Sequence, residues 1–380
     1  MRLTARGQAV GLKAYALGRV TRDNGTPTGS RTTLVYVAET AKPDCELEGY
    51  AAALLEQRVS GTSSTGTPIV SGITTDHLRD GDVVLVSPNG HVRTVFRPDS
   101  AHNVLFMTER CNSYCLMCSQ PPRDVDDSFL VDVNLRLIPL MLPTPAYVCI
   151  TGGEPTLLGD GLLAILRKLK ETLPSTHAHM LTNGRRFADP EFTRAFSSVQ
   201  HLNLSLGIPL YADNAPDHDY VVQARGAFDE TMRGLYQLAR DTQNIEIRVV
   251  LHSHTIERLE SLCEYIYRNL PFASHVALMG LEVTGFAKHN LPRLWIDPVR
   301  AGVIVGRAAE LLAVRGMNVS IYNYPLCLLP RSAWEYARRS ISDWKQTYAE
   351  PCQECRVRGE CAGLFQWAVE RYSGMLRPVA

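Results

Sequence analysis

From about residue 101 to 290 the chain alternates short apolar runs with amphipathic stretches, and few folds accommodate that alternation. Apolar runs lie at 103–108, 146–151, 177–182, 201–206, 246–252 and 275–281. Between them, helical periodicity covers about 127–141, 159–172, 189–197, 226–241 and 256–269. Phe228, Met232, Leu235 and Leu238 fall on one helical stripe, as do Ile256, Leu259, Leu262, Ile266 and Leu270, so both stripes are core. Strands alternating with helices predict an α/β fold with a parallel sheet. Asp297-Pro298 signals the start of a further helix that runs to Arg315 and stops at Gly316, and 318–322 reads as another strand.

Parallel sheets gather function where strand C-termini meet loops. Directly after the first apolar run, the segment 109–123 carries Cys111, Cys115 and Cys118, spaced by three and then two residues. Three thiolates at that spacing can hold an iron–sulfur cube and leave its fourth iron without a protein ligand, whereas electron-transfer clusters take four cysteines. An open iron can bind a substrate or cofactor directly, as the open position of a catalytic zinc does. A zinc knuckle or unrelated buried cysteines are the alternatives. Zinc wants a nearby fourth ligand, and the nearest downstream Cys or His is Cys149.

The loop resembles that of the radical S-adenosylmethionine (SAM) enzymes, which share the Cys-x3-Cys-x2-Cys spacing. The resemblance implies a partial (β/α)6 TIM-like barrel and a 4Fe-4S cluster whose open iron is chelated by the amino and carboxylate groups of SAM. Reductive cleavage then yields a 5′-deoxyadenosyl radical that abstracts hydrogen from a substrate. The wording of 108–112 and 115–122, with Tyr324-Pro325-Leu326-Cys327 and Cys361-Ala362-Gly363-Leu364-Phe365, is similar to the His-Xaa-Ser system radical SAM maturases of the HxsC type. That similarity implies a ribosomally made substrate rich in His-Xaa-Ser repeats, a companion radical SAM maturase, and a reductant such as flavodoxin or ferredoxin.

Thr151-Gly152-Gly153-Glu154-Pro155-Thr156 follows the second strand. Its glycines allow close backbone approach, and the resemblance assigns Gly152, Gly153, Glu154 and Pro155 to the amino group of SAM, a charge-assisted contact. By the same resemblance Ser205 meets the ribose and Asn183 lines the rim; by themselves, such residues more often mark a turn or a satisfied strand end. Arg248 sits in a β-branched strand, where an inward guanidinium needs a partner and the SAM carboxylate suits it; a strand-edge Arg in water is the alternative. Met117 stands where many relatives carry an aromatic that packs on adenine, and its thioether can serve that face. His218-Asp219 suits helix capping, Glu282 could face substrate, and Cys149 and Cys263 read as core thiols.

The tail holds a second constellation, Cys327, Cys352, Cys355 and Cys361. Four soft ligands suit structural zinc or a fully ligated cluster, and spacing does not separate the two. The resemblance, to the twitch-like auxiliary-cluster extension of the family, implies a second 4Fe-4S cluster. Residues 1–100 predict a small β-rich N-terminal domain, with strands at 31–38, 82–86 and 91–96, a hairpin turn at Pro88-Asn89-Gly90, a helix at 47–57 and a flexible loop at 61–68. The domains expected are thus 1–100, a barrel over 101–316 and a cysteine-rich extension over 317–380.

Lys+Arg and Asp+Glu both number 39, so no general field attracts polyanions and a nucleic-acid partner is disfavoured. The ten cysteines are clustered rather than spread as a disulfide framework, which with no secretory signal argues for metal ligation in a reducing cytosol. Arg2, Arg6, Lys13, Arg19 and Arg22 precede the first acid, Asp23, yet Lys13 interrupts the apolar run and no stretch reaches membrane-spanning length. A basic edge on a first strand of a cytoplasmic protein is expected. Three functions remain: a radical SAM peptide or protein maturase, a radical SAM enzyme acting on a small metabolite or nucleoside, and a zinc-stabilised binding module without turnover.

Overall fold

The computed structural model describes residues 3–40, 47–59, 66–241, 243–339 and 346–379. Cys45, read from sequence as a lone thiol, and most of the expected loop at 61–68 lie outside the described residues. The chain divides into two compact units, one of Met1–Phe106, Ser128–Cys149 and Ala164–His177, the other of Met107–Asp127, Ile150–Leu163 and Ala178–Ala380.

In the first unit, β1 (Thr4–Arg6), β2 (Gln8–Val10), β3 (Ala16–Thr21), β4 (Leu34–Ala38), β5 (Ala52–Leu55), β6 (Ile69–Ser71), β7 (Val83–Val86) and β8 (His91–Phe96) form a mixed sheet in the order β1-β8-β7-β3-β4-β5-β6-β2. The β7–β8 turn closes through Gly90 N–H to Ser87 O, as the Pro-Asn-Gly signal predicts. The basic N-terminus starts on β1, an edge strand. The expected helix at 47–57 is instead strand β5, parallel to β4 and β6. Ala52, Ala53, Leu54 and Leu55 are all fully buried. A strand buried on both faces is continuously apolar and loses the alternation that distinguishes it from a buried helix.

The second sheet runs in chain order through β9 (Asn103–Phe106), β10 (Tyr147–Thr151), β11 (His177–Leu181), β12 (Leu204–Pro209), β13 (Asn244–Leu251), β14 (His275–Gly280), β15 (Val319–Tyr322) and β16 (Ala337–Arg338). It is open, with β9 and β16 at its edges, and every pairing from β11 to β16 is parallel. The longer helices among the described residues are α1 (Phe129–Leu137), α2 (Asp160–Thr172), α3 (Pro190–Ser197), α4 (Ala215–Val222), α5 (Ala227–Arg240), α6 (Leu259–Asn269) and α7 (Pro298–Ala313). This is the α/β fold with a parallel sheet that the alternation of strands and helices predicts, and it stays open, as in the partial barrel that the resemblance implies. Both sequence stripes are buried, Phe228, Met232, Leu235 and Leu238 on α5, and Leu259, Leu262 and Ile266 on α6. Asp297 caps α7 by accepting from the Val299 and Arg300 N–H groups.

Two local expectations shift. β12 begins three residues later than the apolar run, because Gln200 takes positive φ and Leu202 is left 95% exposed in the turn. The stretch before α5 is itself a helix, α4, whose Asn214 caps it through the Asp217 N–H. Asp219 on α4 accepts from the Gly226 and Phe228 N–H groups at the start of α5, the capping role expected of it.

Candidate active site

The three-cysteine loop is held by its backbone. Met107 N–H donates to Thr151 O, Gly153 N–H to Thr108 O (2.6 Å) and Glu154 N–H to Arg110 O (2.8 Å), so the segment after β10 lies along the start of the loop. A Cβ on Gly153 would stand 2.0 Å from Arg110 O, and one on Gly152 would stand 2.5 Å from Thr108 O. Both positions therefore require glycine for the approach of another backbone, a use of the Gly-Gly pair that sequence alone did not disclose. Asp127 accepts from Thr108 Oγ1 and the Glu109 N–H and pairs with Arg110, while Arg123 pairs with Glu109 to close the loop. Farther along, Tyr114 and Leu116 N–H groups donate to Val222 and Val221 O at the end of α4. Gly285 leaves room for Cys118 O and Ser119 O.

Burial first, then the charges of Cys118 and Cys111, push the Cys115 thiol up to about 12 against the opposing pull of Arg185. Burial, with the charges of Glu154 and Cys118, likewise pushes Cys111 up to about 11. Cys111 and Cys115 thus feel the neighbouring thiols, and a metal that replaces the protons relieves the cost of ionising them together. Three half-buried soft donors on one loop fit an iron–sulfur cluster. Among the described residues no three His, Cys, Asp or Glu side chains are placed to hold a single metal ion.

Glu154 is buried and heavily used. Its Oε1 accepts from Thr156 N, Thr156 Oγ1 and Thr182 Oγ1, and its Oε2 from Asn183 N (2.6 Å). A carboxylate has about four acceptor positions, so any ammonium it meets must do so through Oε2. Pro155 opens the short turn Pro155–Leu158 and is buried. Asn183 donates to Asn112 Oδ1 next to Cys111, and Arg185 donates to Asn112 O and Ser113 Oγ while pairing with Glu230 on α5. Arg185 was missed from sequence; its only signal is a basic residue two places after Asn183 at the end of β11. Met117 packs with Leu116, Tyr211, Val221, Val222 and Ala287, so most of its side chain is committed to that cluster. Glu282 follows β14 and is half-buried. Cys263 is fully buried, as expected, whereas Cys149 is only half-buried.

The strand registers separate two faces of the sheet from β11 to β16. Ala178, Met180, Leu204, Leu206, Ile208, Ile245, Ile247, Val249, Leu251, Val276, Leu278, Val319 and Ile321 alternate onto one face, and all are buried. The other face carries His179, Ser205, Gly207, Glu246, Arg248, His275, Ser320, Tyr322 and Arg338. Parallel sheets are ordinarily apolar on both faces, so the polar one is where a ligand is expected. Arg248 points onto it, not into water at a strand edge, and its Nη1 donates to Glu246 Oε1 at 2.6 Å. Ser205 Oγ lies 2.7 Å from His179 Nδ1. Tyr211 links this face to the loop: burial pushes its phenol well up, Cys115, Cys118 and Cys111 add to that, and Arg248 opposes.

In the tail, Cys327, Cys352, Cys355 and Cys361 line one cavity. Leu326 and Gly363 N–H groups point at Cys361 Sγ and the Val379 N–H at Cys355 Sγ, at 3.4 to 3.5 Å. Backbone donors at sulfur suit thiolates bound to a metal. Burial raises Cys327 and Cys352, and the neighbouring tail cysteines raise both further.

Residues 105–266 match the model of the Radical SAM superfamily. This stretch, from β9 into α6, is a radical SAM superfamily domain. Among solved structures, the chain is similar to SuiB of Streptococcus suis bound to S-adenosylmethionine (13% identity, 60% of this chain and 47% of that one, TM-score 0.45). It is also similar to a radical SAM methyltransferase from Sphaerobacter thermophilus (17%, 65% and 74%, TM-score 0.44). A third similarity is to coproporphyrinogen III oxidase (HemN) from Escherichia coli (12%, 58% and 54%, TM-score 0.44). The match thus spans about half the length of the first of these structures. No curated protein matches the chain. Among the described residues no helix is long and apolar enough to cross a membrane.

Proposed function

We propose that the protein is a radical SAM enzyme that modifies a ribosomally synthesised peptide or protein of the His-Xaa-Ser repeat kind, as an HxsC-type maturase. One observation carries the enzymatic part: three half-buried thiols on a loop clamped by the Gly-Gly-Glu segment, with Cys115 feeling the other two, inside a radical SAM domain. The sequence wording around the cysteines supports the peptide substrate. Cys111, Cys115 and Cys118 would hold the 4Fe-4S cluster, and Cys327, Cys352, Cys355 and Cys361 an auxiliary one, with the backbone donors at sulfur supporting their thiolates. When bound, the cluster and SAM supply reductive cleavage to a 5′-deoxyadenosyl radical that takes hydrogen from the substrate.

The chain's own residues bind and orient. Gly152, Gly153, Glu154 and Pro155 would face the amino group, Arg248 the carboxylate, Ser205 the ribose, Asn183 the rim and Met117 the adenine face. The domain division is 1–100, 101–316 and 317–380, and the setting is cytoplasmic, with a flavodoxin- or ferredoxin-type reductant and a companion maturase. Incubating reduced, cluster-loaded protein with SAM and the neighbouring repeat peptide tests this. A mass change on the peptide is expected. SAM cleavage without one, restored by a small metabolite or nucleoside, would remove the peptide claim, and colourless zinc protein would remove the enzyme.

A further inference from the structure

We propose that Glu246 is a positioning residue for the cofactor: through Arg248 and through His179 it fixes how the polar face meets SAM. The proposal rests on the function proposed above, in which Arg248 and Ser205 contact that molecule. The register sets Glu246 beside Gly207 on β12 and His275 on β14, and Arg248 stands two residues along the same strand. A Cβ on Gly207 would lie 2.8 Å from Arg248 Cδ and 2.9 Å from His179 Nε2, so glycine makes the space over which both side chains lean. The four ionisable side chains are between 11% and 20% exposed, walled from water without being sealed. A buried charge network of this kind is costly and is a poor way to stabilise a sheet. Its placement on a face that also carries Ser205 argues for use.

The hydrogen-bond directions follow from the carboxylate. Burial raises the Glu246 carboxyl, but the bond from His275 and the charges of Arg248 and His179 bring it down to about 2, so at neutral pH it only accepts. Its Oε2 lies 2.8 Å from His275 Nδ1, which must therefore carry the proton; in the neutral ring, His275 Nε2 then accepts from Ser320 Oγ at 2.9 Å. His179 Nε2 lies 3.6 Å from Glu246 Oε1. With its proton on that nitrogen, His179 accepts at Nδ1 from the Ser205 hydroxyl. Ser205 thus turns its oxygen lone pairs, not its proton, toward a ligand hydroxyl. Arg248 keeps one Nη1–H on Glu246 and presents its other donors in a fixed fork. Tyr322 on β15 is the other titratable group near the carboxylate, and Arg338 on β16 adds a charge at the edge of the face.

Two measurements decide the matter. In full-length protein with 15N-labelled histidine, His275 should appear as the Nδ1–H tautomer and His179 as Nε2–H, with both signals altered in Glu246→Gln. In cluster-loaded protein, Glu246→Gln should weaken SAM binding about tenfold, the effect of losing one charge-assisted bond, with iron content unchanged. Glu246→Asp should recover part of the loss, and Glu246→Gln should add little to Arg248→Ala. Wild-type-like SAM affinity in Glu246→Gln, or the opposite tautomer at His275, overturns the proposal and leaves the enzymatic function standing. Cluster-loaded wild type that binds no SAM overturns both. If Glu246→Gln fails to fold, the wild-type tautomers and the Glu246→Asp affinity still separate these outcomes.

Discussion

The two faces of the sheet from β11 to β16 share their backbones and little else. On one face thirteen buried apolar side chains alternate without interruption, and on the other a Glu, two Arg and two His stand with serines and a tyrosine among apolar residues such as Leu181, Ala277 and Met279. The contrast shows how a parallel sheet divides labour: burial on one side holds the strands, which frees the other side to carry charge. Substitutions on the two faces should therefore change different observables.

The largest effect lies at the loop that both faces serve. Cys115→Ala should abolish iron–sulfur loading at that loop and all SAM cleavage while leaving the thermal midpoint near wild type; retained cleavage would detach the chemistry from the loop. Gly153→Ala should affect both observables. Its methyl must displace Arg110 O from 2.0 Å, at a cost on the order of 4 kcal/mol or more in denaturant unfolding. On the apolar face, Ile247→Ala should cost about 2–5 kcal/mol of stability and leave SAM affinity per folded molecule unchanged.

The smallest effect is the acid response of the polar face. Glu246 is held at about 2 in the fold against an ordinary 4.5, so its contribution is complete above pH 4.5 and fades as pH falls through 2. The amount is up to about 3 kcal/mol. Unfolding curves of Glu246→Gln should lack that slope, and a slope that persists would place the titration elsewhere. His252 makes a useful control: burial lowers it to about 3, and neither ring nitrogen has a partner among the described residues. Its neutral form is favoured in the fold, so His252→Leu should remove a loss of stability that sets in as pH falls below 6.5.

Much of this was legible in the sequence. The strands and helices from 103 to 322 emerge from periodicity because the helix stripes are long and the strands are bounded by turns. The cysteine spacings and the Gly-Gly-Glu segment are local and therefore readable. What escaped was long-range. Glu246 and Arg248 appear in sequence as two charges in a β-branched run; only register sets them against His179 and His275, which lie 67 and 29 residues from Glu246. Arg185 acts on a loop some seventy residues upstream, and no local pattern announces it. β5 failed for a different reason, since Ala and Leu suit helices and full burial erased the alternation.

The close contact between Gly153 and Arg110 also bears on how the protein matures. A coil that wraps metal only on its arrival must surrender conformational freedom at that moment. Here the backbone bonds of Gly153 and Glu154 to Thr108 and Arg110 fix the start of the loop without any ligand, so an inorganic core would enter a mould cast in part by folding. Loading should then be quick, with little change in protease resistance.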